Sequence, residues 1–234
     1  MTEYVQAPEQ DVVISSRVRL SRNYDDLPFS PKLTKEYAEE VVERTADVVF
    51  SGVNGNAFTL LRMSELEQDA RSRLVEHHYI SYDLLKYVQR SAAMVSSAGT
   101  VTVMLNEEDH VRFQGLLPGL QLERAAEMAL NLDEAVGEKY PFAFDSQLGF
   151  LTACPANTGT GMRCSVVLHL PALAAGGQMG AVMQAVAKLG LTIRGLYGDG
   201  SEARGHLYQL SNQATLGRSE EDSFRIRCCV PGEN

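Results

Sequence analysis

Apolar and polar positions recur with readable periods along most of the chain. VVISSRVRLS (12–21) sets β-branched residues between polar ones, which predicts a strand carrying Arg17 and Arg19 on one side, two residues apart. In LTKEYAEEVVERTADVVF the positions Ala38, Val41, Val42, Thr45 and Val49 fall on one helical face, with Thr34 as the expected N-cap. A turn at SGVNGN leads into a strand at AFTLLRM (57–63), followed by a polar helical stretch that runs to Ser72. AAMVS (92–96) and TVTVML (100–105), joined by Ser-Ala-Gly, predict a hairpin. Leu122, Ala125, Ala126, Ala129 and Val136 mark the buried side of a helix over about 121–139. FAFDSQLGFLTAC (142–154) and SVVLHL (165–170) read as strands around a Gly-rich loop. Met179, Val182, Met183 and Val186 define a further helix closed by Gly190, and LTIRGLY (191–197) and GHLYQLSNQ (205–213) the last strands. Strands outnumber helices and short turns join neighbours. The expected fold is therefore α+β, an antiparallel or mixed sheet flanked by helices, rather than a doubly wound parallel sheet.

Composition narrows the function. The 234 residues are enough for one large domain with a real core. A net charge of −9, with no offsetting Lys/Arg cluster, argues against nucleic-acid binding. No apolar run reaches the roughly 18 residues that a membrane helix needs. The start MTEYVQAPEQD lacks the basic and apolar regions of a signal peptide, so a cytoplasmic location is expected. Basic residues are 16 Arg against 5 Lys, and arginine is the better bidentate ligand for phosphate. Cys154, Cys164, Cys228 and Cys229 fit neither a disulfide framework nor a zinc site, and no metal site is expected.

Charge concentrates in a few places. Arg17 and Arg19 of SSRVR are either surface arginines of an exposed strand face or a pair that requires anionic partners. NEEDHVRFQ (106–114) puts three carboxylates, a histidine and an arginine directly after the apolar VTVML. If the strand continues, Glu108, His110 and Arg112 share one parity; Glu108 is then either a structural partner of Arg112 or an orienting base beside a phosphate ligand. In CPANTGTGMRCS (154–165), Gly159, Thr160 and Gly161 form a loop able to turn backbone N–H groups toward an anion. No G-x-x-x-x-G-K-[ST] occurs, which excludes a P-loop. Cys154 is a packed small hydrophobe or, among arginines, a reactive thiol.

SSRVRLSRN, MLNEEDHVRFQ, CPANTGTGMRCSVVLHLP, RGLYGDGSEA and QLSNQATLG, in that order, closely resemble the ATP:guanido phosphotransferases, and within them the bacterial protein-arginine kinases. The resemblance runs from about residue 11 to about 222, which leaves 1–10 as an N-terminal extension and 223–234 as an atypical tail. It implies a curved antiparallel sheet flanked by helices that carries ATP, with Mg²⁺ bound through the nucleotide. At the positions of the family's five phosphate-gripping arginines stand Arg17, Arg19, Arg112, Arg163 and Arg194. The matching nucleotide-binding stretches are Ser15, Ser16, Arg17, Val18 and Arg19; Arg163, Cys164, Ser165, Val166 and Val167; and Arg194, Gly195, Leu196, Tyr197, Gly198 and Asp199. His78 matches the histidine near the adenine. Glu108 matches the carboxylate that orients the target guanidinium, and Cys154 the cysteine whose thiolate lies against it. Asp199 stands where many relatives carry a second glutamate, one methylene longer.

The resemblance implies phosphorylation of arginine side chains in proteins, with an activator protein and a Clp-type protease as partners in marking proteins for degradation. Small-molecule guanidino kinases carry a helical N-terminal domain that closes over the acceptor; about ten residues precede the first motif here, which points to an open acceptor site. Protein-arginine kinases continue into a helical C-terminal domain; SFRIRCCVPGEN, with Arg225, Ile226, Cys228 and Cys229, does not match it, which points to a truncated or frame-shifted gene. Two rivals stay open: a kinase of free arginine or a related guanidino metabolite, and an inactive nucleotide-binding remnant.

Overall fold

The computed structural model describes residues 7–52, 58–196, 204–212 and 215–217. Ten strands and five α-helices follow one another in these segments. Strand β1 (Val13–Arg22) leads to helix α1 (Lys35–Gly52), β2 (Phe58–Arg62), α2 (Gln68–Glu76), β3 (Ala92–Ser96), β4 (Val101–Leu105) and β5 (Val111–Pro118). Then come α3 (Leu122–Lys139), β6 (Phe144–Asp145), β7 (Gly149–Phe150), β8 (Met162–His169), α4 (Pro171–Ala175), α5 (Met179–Lys188), β9 (Leu191–Gly195) and β10 (Leu207–Asn212). Eight strands form one open sheet in the order β2-β3-β4-β5-β1-β8-β10-β9, and every pairing in it is antiparallel.

Two-residue alternation gives this sheet two different faces. Val18 and Leu20 of β1, Phe113 of β5, Met162, Cys164 and Val166 of β8 and Leu210 of β10 lie in one buried cluster under α1, α3 and α5. Helix α3 supplies Leu122, Ala125, Ala126, Ala129, Leu132 and Val136, spaced as the sequence predicts. Its approach is close enough that a Cβ on Gly115 of β5 would stand 2.1 Å from the Ala125 carbonyl oxygen, so only glycine fits there. Thr34 caps α1 as expected, accepting the Tyr37 N–H at 3.3 Å. The hairpin between β3 and β4 also forms, closed by the Gly99 N–H on the Ser96 carbonyl at 2.8 Å.

The opposite face is polar at its centre. Residues 63–91 cover one end of it, where Met63, Ile80, Leu84, Ala93 and Met104 make a second small core. The other end carries the arginines.

Two expectations need correction. The 142–154 stretch is not strand-rich: it holds only the two-residue pair β6–β7. Asp145 accepts the Gln147 and Leu148 N–H groups at 2.8 and 2.9 Å and bends the chain, while Phe142 stacks on Tyr24 with ring centres 5.6 Å apart. The strand through VTVML also stops at Leu105, and 106–110 is the connection between β4 and β5. Asn106 adopts φ 60° and its N–H meets the His110 carbonyl at 2.8 Å, so Glu108, His110 and Arg112 do not share a strand face. No helix among the described residues is long and apolar enough to cross a membrane.

Candidate active site

The polar face is built by register. Ser15, Arg17, Arg19 and Ser21 alternate along β1; Arg19 lies opposite Arg163 of β8, Arg17 opposite Ser165, and Ser21 opposite Arg112 of β5. On the far side Gln209 of β10 lies opposite Arg194 of β9. Like charges directly opposite one another destabilise a sheet. Arg17 is steadied by neutral partners, Ser165 Oγ at 3.4 Å and Gln209 Oε1 at 3.2 Å. Among the described residues Arg17, Arg19, Arg163 and Arg194 form no ion pair with a carboxylate, and the buried Arg163 Nε has no hydrogen-bond partner. Burial and the neighbouring Arg112 push Arg17 down to about 10. Burial and three neighbouring guanidiniums pull Arg19 well below its ordinary value. A guanidinium stays charged at neutral pH, and the cluster is stabilised by any anion placed over it.

The five residues 106–110 divide the labour. Asn106 donates to the carbonyls of Ala38 and Arg90 at 2.8 and 3.0 Å, which anchors the loop. Glu107 is buried, pairs with Arg112 and accepts from Ser81 Oγ. Asp109 Oδ1 accepts from Asn23 Nδ2 and from the Ala153 N–H, both at 2.7 Å, which ties the Cys154 segment to this loop. His110 accepts the Tyr24 N–H at Nδ1, 3.1 Å away, and its Nε2 lies 3.0 Å from the Pro28 carbonyl, so the ring is neutral and donates there. Glu108 alone projects outward, its side chain 45% exposed, with Arg112 Nη2 at 3.6 Å.

Three adjoining hollows connect these groups. A groove of about 900 Å³ is lined by Glu108 and Cys154 together with Ser30, Lys35, Lys86 and Arg90. Glu108 and Cys154 also line a hollow of about 260 Å³ with Arg19, Arg112 and Arg163. Arg163 in turn lines a third, of about 240 Å³, with Arg194, Gln209 and Ser211. A carboxylate and a thiol therefore stand where a large groove meets an arginine-lined floor.

Other expected residues fall elsewhere. Val18, Cys164 and Val166 point into the core, and Ser16 Oγ faces α3, accepting the Gln121 N–H at 2.9 Å and donating to the Gly119 carbonyl. These four lie in strands paired on both sides, and their side chains point away from the arginine face. Ser15, Ser165 and Val167 do share that face, and Gly195 lines its outer hollow; Leu196, just beyond, gives its N–H to the Leu207 carbonyl. His78 adopts φ 59° and its carbonyl accepts from Gln114 Nε2 at 2.9 Å; burial and Arg17 push its imidazole down. The Gly159–Gly161 loop is not an anion nest. The Gly159 and Thr160 N–H groups are taken by the Phe150 and Thr215 carbonyls, and the loop is packed so tightly that a Cβ on Gly161 would meet Arg22 Nη1 at 2.5 Å. Tyr197, Gly198, Asp199 and the 223–234 tail lie outside the described residues.

Sequence reasoning missed the supports: Glu107, Asp109, Asn23 and the buried Arg22. Arg22 reaches Asp133 of α3 at 2.8 Å, donates to the Thr160 carbonyl at 2.9 Å and lies 3.6 Å from the Phe150 ring centre. Its place in SSRVRLSR, three residues past Arg19, was the available signal.

Comparison with known proteins gives a consistent picture. The family model for the ATP:guanido phosphotransferase C-terminal catalytic domain matches residues 40–228. A protein-arginine kinase of Caldanaerobacter subterraneus subsp. tengcongensis is 43% identical over 216 residues, which is 92% of this chain and 64% of the relative. One from Geobacillus sp. (strain WCH70) is 46% identical over 220 residues, 93% of this chain and 60% of the relative. The chain thus spans less than two thirds of the length of these relatives. Among solved structures, the duplicated taurocyamine kinase from Schistosoma mansoni with bound transition state analog components superposes with a TM-score of 0.81 at 26% identity, covering 94% of this chain and 32% of that one.

Proposed function

The chain belongs to the ATP:guanido phosphotransferase family, and we propose that it transfers the γ-phosphoryl group of ATP to arginine side chains of proteins. One observation carries the reading: Glu108 and Cys154 line both the large groove and the arginine-floored hollow beside it. The acceptor comes from the groove and the nucleotide phosphates lie over the floor.

Phosphoryl transfer is catalysed chiefly by alignment and by neutralising charge on the migrating group. Arg17, Arg19, Arg112, Arg163 and Arg194 supply that charge as directional donors. Guanidiniums repel a free cation and attract the phosphates that carry one, so Mg²⁺ arrives on the nucleotide. The acceptor guanidinium has a pKa above 12 and must be held by an anion and relieved of a proton. Glu108 orients it and takes that proton, with Cys154 against its other edge. The guanidino nitrogen then forms the N–P bond as the bond from the γ-phosphorus to the bridging oxygen breaks, and ADP leaves. We take residues 11–222 as the catalytic unit and assign Asp199 to the same acceptor site. A cytoplasmic location, an activator protein and a Clp-type protease complete the proposal. The names of the protein-arginine kinase relatives favour a protein acceptor over free arginine.

The test is transfer of ³²P from γ-labelled Mg-ATP to a loosely folded protein, with free L-arginine in parallel. Acid-labile label on the protein supports the proposal. Label only on free arginine moves the activity to small guanidino compounds, and label on neither overturns it.

A further inference from the structure

The groove beyond Glu108 is much larger than a guanidinium needs; at about 900 Å³ it lies near the upper end of ligand-sized clefts, roughly 300–1,000 Å³. Its wall chemistry is one-sided. Lys35, at the start of α1, is exposed, and Lys86 has a side chain 62% exposed, paired at the surface with Asp83 at 2.7 Å. Arg90 stitches the wall together, with Nη1 on the Ser30 and Leu33 carbonyls at 3.1 and 3.3 Å and its guanidinium 4.5 Å from the Tyr87 ring centre. No carboxylate pairs with Arg90 among the described residues. Glu108 is the one acidic residue of the lining, against these three cations, in a chain whose net charge is −9.

A second observation points the same way. Ser30 is buried on this wall and its Oγ has no hydrogen-bond partner among the described residues; neither has the buried Arg90 Nε. Buried polar groups in native proteins are nearly always satisfied. Both residues line the groove, so an occupant whose acceptors draw Ser30 Oγ or Arg90 Nε out of burial would satisfy them. An occupant of this groove must bring acceptors and negative charge.

We propose that the groove holds the polypeptide flanking the target arginine and selects segments with an acidic side chain beside it. Backbone carbonyls meet Ser30 and Arg90, carboxylates meet Lys35, Lys86 and Arg90, and the arginine reaches back to Glu108. This rests on the arginine-kinase reading above and adds its substrate preference. A free amino acid could offer its α-carboxylate to the same cations, so the experiment separates the two sources.

Short capped peptides with a single arginine, flanked by Glu or by Gln, are titrated against the 234-residue chain by fluorescence anisotropy, with phosphoryl transfer followed in parallel. Glu-flanked peptide binds tighter by roughly two- to five-fold per carboxylate. The preference collapses at about 0.5 M salt and in Lys86→Glu and Lys35→Glu, both at exposed positions where folding is safe. Equal binding of the two peptides overturns the proposal even if transfer occurs. Competition by free L-arginine as strong as by the Glu-flanked peptide, without a flank preference, also overturns it and assigns the cations to an α-carboxylate. A flank preference in binding with no transfer to any acceptor keeps the groove's selectivity and removes the kinase reading instead.

Discussion

Glu107→Gln isolates the counter-ion on which the arginine face depends. The Glu107 side chain is 1% exposed and that of Arg112 9%, so the pair is buried. Glutamine keeps the shape and the hydrogen bond from Ser81 but leaves Arg112 without its negative partner, beside Arg19 and Arg17. Removing one member of a buried pair costs about 3–5 kcal/mol. Glu108, 3.6 Å from Arg112 Nη2 but 45% exposed, recovers at most about 1 kcal/mol. The net loss is then about 2–4 kcal/mol, a fall in Tm of roughly 5–15 °C for a chain of this size. The assay is urea and thermal unfolding with and without saturating Mg-ATP. Phosphates laid over the arginines replace the missing charge, so the loss shrinks when nucleotide is bound. A change below about 0.5 kcal/mol without nucleotide, or an equal loss in both conditions, refutes the reasoning.

Other perturbations separate function from stability. Arg19→Met removes a half-buried cation that lacks an ion-paired carboxylate among the described residues; the free protein gains roughly 1–2 kcal/mol while Mg-ATP affinity drops, read by unfolding and by calorimetry. His110 is buried and its pKa is lowered, by burial first. Below the unfolded value near 6.5 the unfolded chain takes up a proton that the folded one does not, so stability falls as pH drops through the window between that value and the lower folded one, with a slope up to about 1.4 kcal/mol per unit. His78 shifts in the same direction, so His110→Gln flattens only part of the acid limb of an unfolding-against-pH series. Gly161→Ala meets Arg22 Nη1 at 2.5 Å and the Ser21 carbonyl oxygen at 2.7 Å in a backbone at φ 63°; a loss of about 1–3 kcal/mol by urea unfolding is expected.

The sheet was legible where periodicity and burial coincide. β1 shows its alternation because one face is core and the other arginine, and α3 shows its stripe because Ala and Leu meet a flat sheet. The run NEEDHVR misled for a physical reason: a polar loop and a polar strand face have the same composition, and what ends β4 is the left-handed Asn106 pinned to α1 and the 90s segment. The family resemblance pointed to the five arginines and Glu108, and what the structure adds is their placement on one sheet face and its adjoining hollows. Their supports were not legible, because each partner is remote in sequence: Ser81 for Glu107, Asn23 and Ala153 for Asp109, Pro28 for His110. The Gly159–Gly161 loop looked like an anion cradle because glycine spacing cannot tell close packing from ligand binding; Thr215, more than fifty residues on, takes the amide in question.

The central claim is that a donor floor of arginines and an anionic acceptor edge meet at Glu108 and act as separable halves. The most direct measurement is Glu108→Gln, with Mg-ATP affinity and the single-turnover rate of transfer to a protein arginine taken on the same preparation. Arg112 keeps Glu107, so nucleotide affinity stays within about two-fold while transfer falls by roughly 10²–10⁴. Undiminished transfer, or loss of nucleotide binding together with transfer, contradicts the account.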